Sequence, residues 1–326
     1  MRGIGRLLRE QVCFAFAIAV LSVSGCSVQP VEPEPVDATP EIVIEPPQPT
    51  VADKPPRKIP EPPRLPPVAI VLTSNQPAYA EVAKELANRF DDFDVYDLSD
   101  RSQPPVSVLR TINDSGSRAV VAIGLRAAQS SVAMAETPVV FSQVFNYQDN
   151  DLLSETSRGV ASLAPLDAQL AAWTKIDPTI KRIGVIIGQG HDDIIAEAEL
   201  AAERNNVKLV IRVADSDQET LYFFRRMIRD IDGFWLFPDN RILSARVMQQ
   251  MLDDANRLQV PVAVPNESML AMGATISLAT VAADIADTIV KVLRRIQAGD
   301  LERVPPISRL SEIRVTTNGA VRVADR

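Results

Sequence analysis

The sequence predicts an α/β protein with two doubly wound parallel-sheet lobes and an interlobe cleft, preceded by a signal peptide and a proline-rich stretch. Three observations carry this. From residue 68 onward, short apolar runs of strand length alternate with amphipathic stretches of helix length. The order repeats: strand starts expected at 68, 94, 119 and 138 return at 182, 207, 233 and 260, at a nearly constant spacing. Before residue 68 the composition is different, with 14 of the chain's 25 prolines between Ser27 and Pro67.

The elements follow in order. Val68-Ala-Ile-Val-Leu72 is an unbroken apolar run, as a strand buried on both faces requires. Residues 79–90 carry Tyr79, Val82, Ala83, Leu86 and Phe90 on one helical stripe. Strands at 94–98, 118–123 and 138–142 follow, with helices between them. The second set has strands at 182–187, 207–213, 233–237 and 260–264, and helices at 194–205, 220–230 and 244–258. Right-handed crossovers make each sheet parallel, and ligands of such sheets sit beyond the carboxyl ends of the strands. The expected division is 68–145 plus 277–304 for the N-terminal lobe and 146–276 for the C-terminal lobe. Hinge crossings are expected within 143–159 and 264–277, and 305–326 forms a tail with a short strand at 313–316. The helix at 282–298 returns to the first lobe.

Ahead of the globular part lies an address. Arg2, Arg6 and Arg9 precede a mainly apolar run at 12–23, too short to span a bilayer. Leu21-Ser-Val-Ser-Gly-Cys26 then resembles a bacterial lipobox, which implies cleavage of residues 1–25 and lipidation of Cys26. The resemblance to bacterial lipoproteins implies anchorage in the cell envelope facing the periplasm, with Ser27 favouring the outer membrane. Residues 27–67 contain four Pro-Pro pairs. Proline fixes φ and removes a backbone donor, so this stretch is expected to be an extended tether of at most roughly 130 Å.

Composition excludes several chemistries. The 34 Lys+Arg against 42 Asp+Glu give a net charge of −8, which argues against nucleic acid as a partner. One His and two Cys leave no Cys/His metal cluster. His191 adjoins Asp192 and Asp193, which suit the acidic first turn of a helix better than a catalytic set. Gly188-Gln-Gly190 is too short for a dinucleotide fingerprint, and no Gly-x-Ser-x-Gly elbow occurs. The expectation is a non-enzyme without cofactor or metal.

Candidate binding residues stand at strand ends. Ser74, Asn75 and Gln76 offer hydroxyl and amide groups before a helix, or simply cap it. Tyr79 stacks on a ligand or packs inward. Gly124 permits close backbone approach, and Arg126 pairs with an acidic ligand or stays solvated. Gln143 and Phe145, with Tyr147, enter the first expected crossing. Trp235 is the candidate aromatic wall, with Asp239 and Asn240 just beyond its strand. Asn266 and Glu267 mark the second crossing, where Glu267 suits an ammonium.

Several stretches together resemble the periplasmic substrate-binding components of ABC importers, of the type I bilobal fold. They are Ala69-Ile-Val-Leu-Thr-Ser-Asn-Gln-Pro-Ala-Tyr79, Val121-Ala-Ile-Gly124, Thr137-Pro-Val-Val-Phe141, Arg158-Gly-Val-Ala-Ser162, Lys181-Arg-Ile-Gly-Val185, Asp232-Gly-Phe-Trp-Leu236 and Val260-Pro-Val262. The resemblance covers about residues 68–318. It implies capture of a small, polar, amino-acid-like ligand between the lobes and presentation to a permease. One departure stands out: Ile276-Ser-Leu-Ala-Thr-Val-Ala-Ala-Asp284 lacks the Tyr and Gly that the family usually places there. An alternative is an outer-membrane lipoprotein whose bilobal domain docks an envelope protein.

Overall fold

The computed structural model describes residues 67–319; the expected signal peptide, Cys26 and nearly all of the proline-rich stretch lie outside them. The first sheet contains β1 (Val68–Leu72), β2 (Phe93–Asp97), β3 (Ala119–Ile123), β4 (Val139–Ser142), β5 (Ser157–Val160) and β11 (Ile307–Ser308). The second contains β6 (Arg182–Gly188), β7 (Lys208–Ala214), β8 (Gly233–Leu236), β9 (Val262–Val264), β10 (Ile276–Ala279) and β12 (Arg314–Thr317). Their orders, β11-β5-β4-β3-β1-β2 and β12-β10-β9-β8-β6-β7, are equivalent strand for strand. All pairings are parallel except β10 with β12.

The apolar runs explain why the central strands are where they are. In β1 and β3 every residue is buried, and alternate side chains feed opposite faces. Ile70 and Leu72 pack with Val82 and Leu86 of α1 (Pro77–Ala87) and with Ile285 and Ile289 of α8 (Ala282–Gln297). Ala69 and Val71 pack on the other face with Leu109 and Ile112 of α2 (Pro105–Asp114) and Ala127 and Ala128 of α3 (Leu125–Met134). The second lobe repeats the arrangement. Ile183 and Val185 face α4 (Leu166–Ile176) and α5 (Asp192–Arg204), and Ile186, Phe234 and Leu236 face α6 (Asp217–Met227) and α7 (Ala245–Leu258).

The crossings differ from the sequence expectation. β5 pairs with β4 and β11, so residues 146–160 belong to the first sheet and the chain crosses at 161–165, after the expected 143–159. β10 pairs with β9, so the return crossing falls at 280–281 instead of within 264–277. A third crossing, 309–313, joins β11 to β12, so the expected tail contributes one strand to each sheet. The cause is strand exchange: each sheet takes a fifth strand before its chain leaves, and the helix that follows packs on the other lobe. Thus α4 follows β5 yet covers the second sheet, and α8 follows β10 yet covers the first.

Candidate functional site

The strands of each sheet end toward a cleft of about 480 Å³ that both lobes line. From the first lobe come Gln76 and Tyr79 at the start of α1, Glu81 within it, and Gln143 to Asn146 beyond β4. From the second come Asn240 beyond β8, Asn266 and Glu267 beyond β9, and Arg314 on β12. Ser162 and Thr280 line it from two crossings.

Of the sequence-predicted residues, Gln76, Tyr79, Gln143, Phe145, Asn240, Asn266 and Glu267 meet in this cleft. Ser74, Asn75, Gly124, Arg126, Trp235 and Asp239 do not line it. Trp235 is the plainest correction: it is 1% exposed, and its indole Nε1–H donates to Gln169 Oε1 at 2.9 Å. Its strand is buried on both faces, so an aromatic at its centre becomes core, not a wall. Arg126 is on the exposed side of α3. Gly124 supports the site indirectly. Its φ of +85° starts α3, and a Cβ there would stand 2.7 Å from the Tyr79 ring. The glycine therefore leaves room for the tyrosine. Burial pushes the Tyr79 hydroxyl pKa up, with a hydrogen bond to Gln76 opposing, so the phenol keeps its proton and can donate.

Gln143 is held at φ +58°, a left-handed conformation that costs a non-glycine residue and that clusters at ligand sites. It turns the chain so that the next residues reach the second lobe. The Phe145 ring lies 4.5 Å from the His191 ring and 6.3 Å from Phe237, both on the far lobe. Asn146, which sequence reasoning passed over between Phe145 and Tyr147, ties the floor together. Its Nδ2 donates to Asp239 Oδ1 at 3.1 Å and Asn240 Oδ1 at 2.7 Å, and its Oδ1 meets His191 Nε2 at 2.9 Å.

Asp239 sits beneath this floor, 1% exposed. It accepts from Gly188 N at 3.0 Å and from Arg241 Nε at 2.9 Å, and a Cβ on Gly188 would meet its carboxylate at 2.5 Å. Burial works to raise its pKa, but hydrogen bonds from Arg241, the nearby His191 and the Arg241 charge outweigh it and hold the carboxyl well below the usual range. Arg241 also pairs with Asp149 of the first lobe. At the cleft's edge Arg314 Nη2 meets Glu81 Oε1 at 2.9 Å, another contact between lobes. Neither Glu81 nor Arg314 had a sequence signal: one is a helix-surface acid, and the other reaches the cleft only through the third crossing.

A second cavity, of about 660 Å³, lies along the crossing at 161–165. Tyr147 lines it, with the crossing residues 161–165 and α5.

A family model described as ABC transporter substrate binding protein matches residues 90–319. The chain belongs to that family. Among solved structures, it is similar to a conserved domain protein from Vibrio cholerae at 20% identity and TM-score 0.52, over 78% of this chain and 92% of that one. It is similar to an ABC domain from Streptococcus pneumoniae in complex with L-Trp at 18% identity and TM-score 0.53, over 79% and 93%. A third is the ligand-free, open structure of a substrate binding protein with adhesive properties from Clostridium difficile, at 16% identity and TM-score 0.56, over 78% and 92%. At these identities the likeness is one of fold: two α/β lobes arranged as in the type I bilobal binding-protein fold. No curated protein sequence matches it.

Proposed function

We propose that this protein captures a small polar solute in the interlobe cleft and presents it to an ABC-type importer, without chemical conversion. The observation that carries the proposal is the cleft itself: carboxyl ends of two equivalent parallel sheets, joined by three crossings, with amide, hydroxyl and aromatic groups from both sides. Family membership and the fold shared with an L-Trp complex support a solute-binding role. Rotation about the crossings would bring the two walls onto a ligand. The protein works from the cell envelope, held by lipid on Cys26 and facing the periplasm, with Ser27 favouring the outer membrane. Thermal unfolding of the full chain against amino acids, sugars, short peptides and nucleobases tests the proposal. A ligand of the folded state raises Tm with concentration as RT ln(1 + [L]/Kd). A flat profile across all four classes counts against it.

Ser27 and the proline-rich stretch favour a second reading, in which the bilobal body docks an envelope protein. Membrane fractionation separates the two: inner-membrane placement beside a permease removes this second reading.

A further inference from the structure

Resting on the solute-binding reading, we infer that the cleft selects a net cationic solute, with Glu267 and Glu81 setting the sign and Arg314 acting as an internal counter-ion and not as a ligand for anions. The ionisable side chains lining the cleft, among the described residues, are Glu81, Glu267, Arg314 and the phenol of Tyr79. Two carboxylates face one guanidinium, so the lining is net negative once the phenol keeps its proton. The guanidinium is already engaged. Its pKa is raised first by the hydrogen bond with Glu81, against burial, and then by the charges of Glu81 and Glu267. Arg314 keeps N–H groups that Glu81 does not use, but its charge is already balanced, so an arriving carboxylate would add a third negative charge beside Glu81 and Glu267.

The layer behind the cleft has the same sign. Arg241 is shared between Asp239 and Asp149, again two carboxylates to one guanidinium. The start of α1 gives an anion little. Pro77 brings no N–H, and the N–H groups of Tyr79 and Ala80 already bond the Gln76 carbonyl. Glu267, by contrast, is exposed at the cleft. One of its oxygens, Oε1, accepts from Thr316 Oγ1 at 2.6 Å, which leaves the other for a ligand nitrogen. Tyr79 and Phe145 supply the apolar surface beside it, and a tyrosine face also attracts a cation. This revises the amino-acid-like expectation: a zwitterion brings a carboxylate, and the one base of the cleft is outnumbered by Glu81 and Glu267.

The test is direct binding of shape-matched probes of different net charge to the full chain by calorimetry. One set shares an indole: tryptamine, L-tryptophan and indole-3-propionate. A second shares a guanidinopropyl group: agmatine, L-arginine and 4-guanidinobutyrate. Affinity should fall with net charge within each set: tryptamine above L-tryptophan above indole-3-propionate, and agmatine above L-arginine above 4-guanidinobutyrate. Glu267→Gln should weaken the best cation about tenfold, the loss expected for one hydrogen bond to a charged group. Glu81→Gln releases Arg314 and should narrow the gap between cation and anion. Zwitterions or anions binding as well as cations in the wild type would overturn the inference while leaving solute binding intact. So would a Glu267→Gln protein of unchanged Tm that keeps full cation affinity. If none of the six probes binds and the broader thermal screen is also flat, solute binding itself falls, and the inference with it. If the screen instead finds a ligand that is neutral or anionic, only the inference falls.

Discussion

At the scale of single residues, Asp239 shows how a buried charge is tolerated. It is almost fully removed from water, which alone would favour its neutral form, yet the Asn146 amide, the Gly188 N–H and the Arg241 guanidinium hold it ionised. Because its folded-state pKa lies below the unfolded value near 3.8, it contributes stability that is complete above that value and is lost as pH falls below it. Asp239→Asn should therefore lower Tm at pH 7 and flatten the decline of Tm between about pH 4 and pH 2. Differential scanning calorimetry of both proteins across that range checks this. Parallel acid limbs would mean that Asp239 does not carry the dependence. The residue stood out in the sequence only as a polar group past a strand. Its partners come from β6, the loop after β4 and its own loop, and no local pattern announces them.

At the scale of elements, the last crossing depends on one helix start. Asp284, in the first turn of α8, accepts from Ser311 N at 2.7 Å, Ser311 Oγ at 2.8 Å and Glu312 N at 2.9 Å. These donors lie on the crossing between β11 and β12, so the helix of one lobe fixes the strap leading to the other. Asp284→Ala leaves them without a partner and should cost about 1–3 kcal/mol. Amide hydrogen exchange at 309–313 should rise while β1 and β3 stay protected; unchanged exchange would sink the assignment. The same comparison shows what the sequence discloses. β1 and β3 are legible because burial on both faces demands unbroken apolar runs, and α7 because its buried stripe repeats at helical spacing. β5 is Ser-Arg-Gly-Val, polar and short, and exists because β4 and β11 flank it. Its Gly159 has no room for a Cβ beside Phe141 and Ile307, a constraint visible only in three dimensions. The stripe of Leu166, Leu170 and Trp173 on α4 is present in the sequence, but periodicity does not say which lobe a helix covers. With β5 and β10 unannounced, the sequence puts both expected crossings too early, and the cleft residues at or beyond the true ones, Ser162, Thr280 and Arg314, give no signal.

At the scale of the whole molecule, the two lobes are joined by more than their crossings. The segment after β4 belongs by chain to the first lobe, yet Phe145 packs into the core of the second and Asn146 bonds three residues there. Opening the cleft around the crossings must either tear this segment from the second lobe or carry it along. Tearing would expose Phe145, now 7% accessible, and strip Asn146, Asp239 and His191 of mutual partners, while also breaking the Arg241–Asp149 and Arg314–Glu81 pairs. These contacts favour the closed arrangement before any ligand arrives, and a ligand that needs closed walls binds more tightly in proportion to the closed fraction. Asn146→Ala removes the central three hydrogen bonds without touching either sheet. In solution scattering the unliganded variant should have a larger radius of gyration than wild type, and its affinity for the solute should fall roughly tenfold if the closed fraction falls by that factor. Saturating ligand should bring the two proteins to the same radius, because ligand supplies the closure that Asn146 no longer does. Equal radii without ligand would show that the segment travels with the second lobe, moving the pivot to the turn at Gln143, whose left-handed backbone would then be the joint to mutate next.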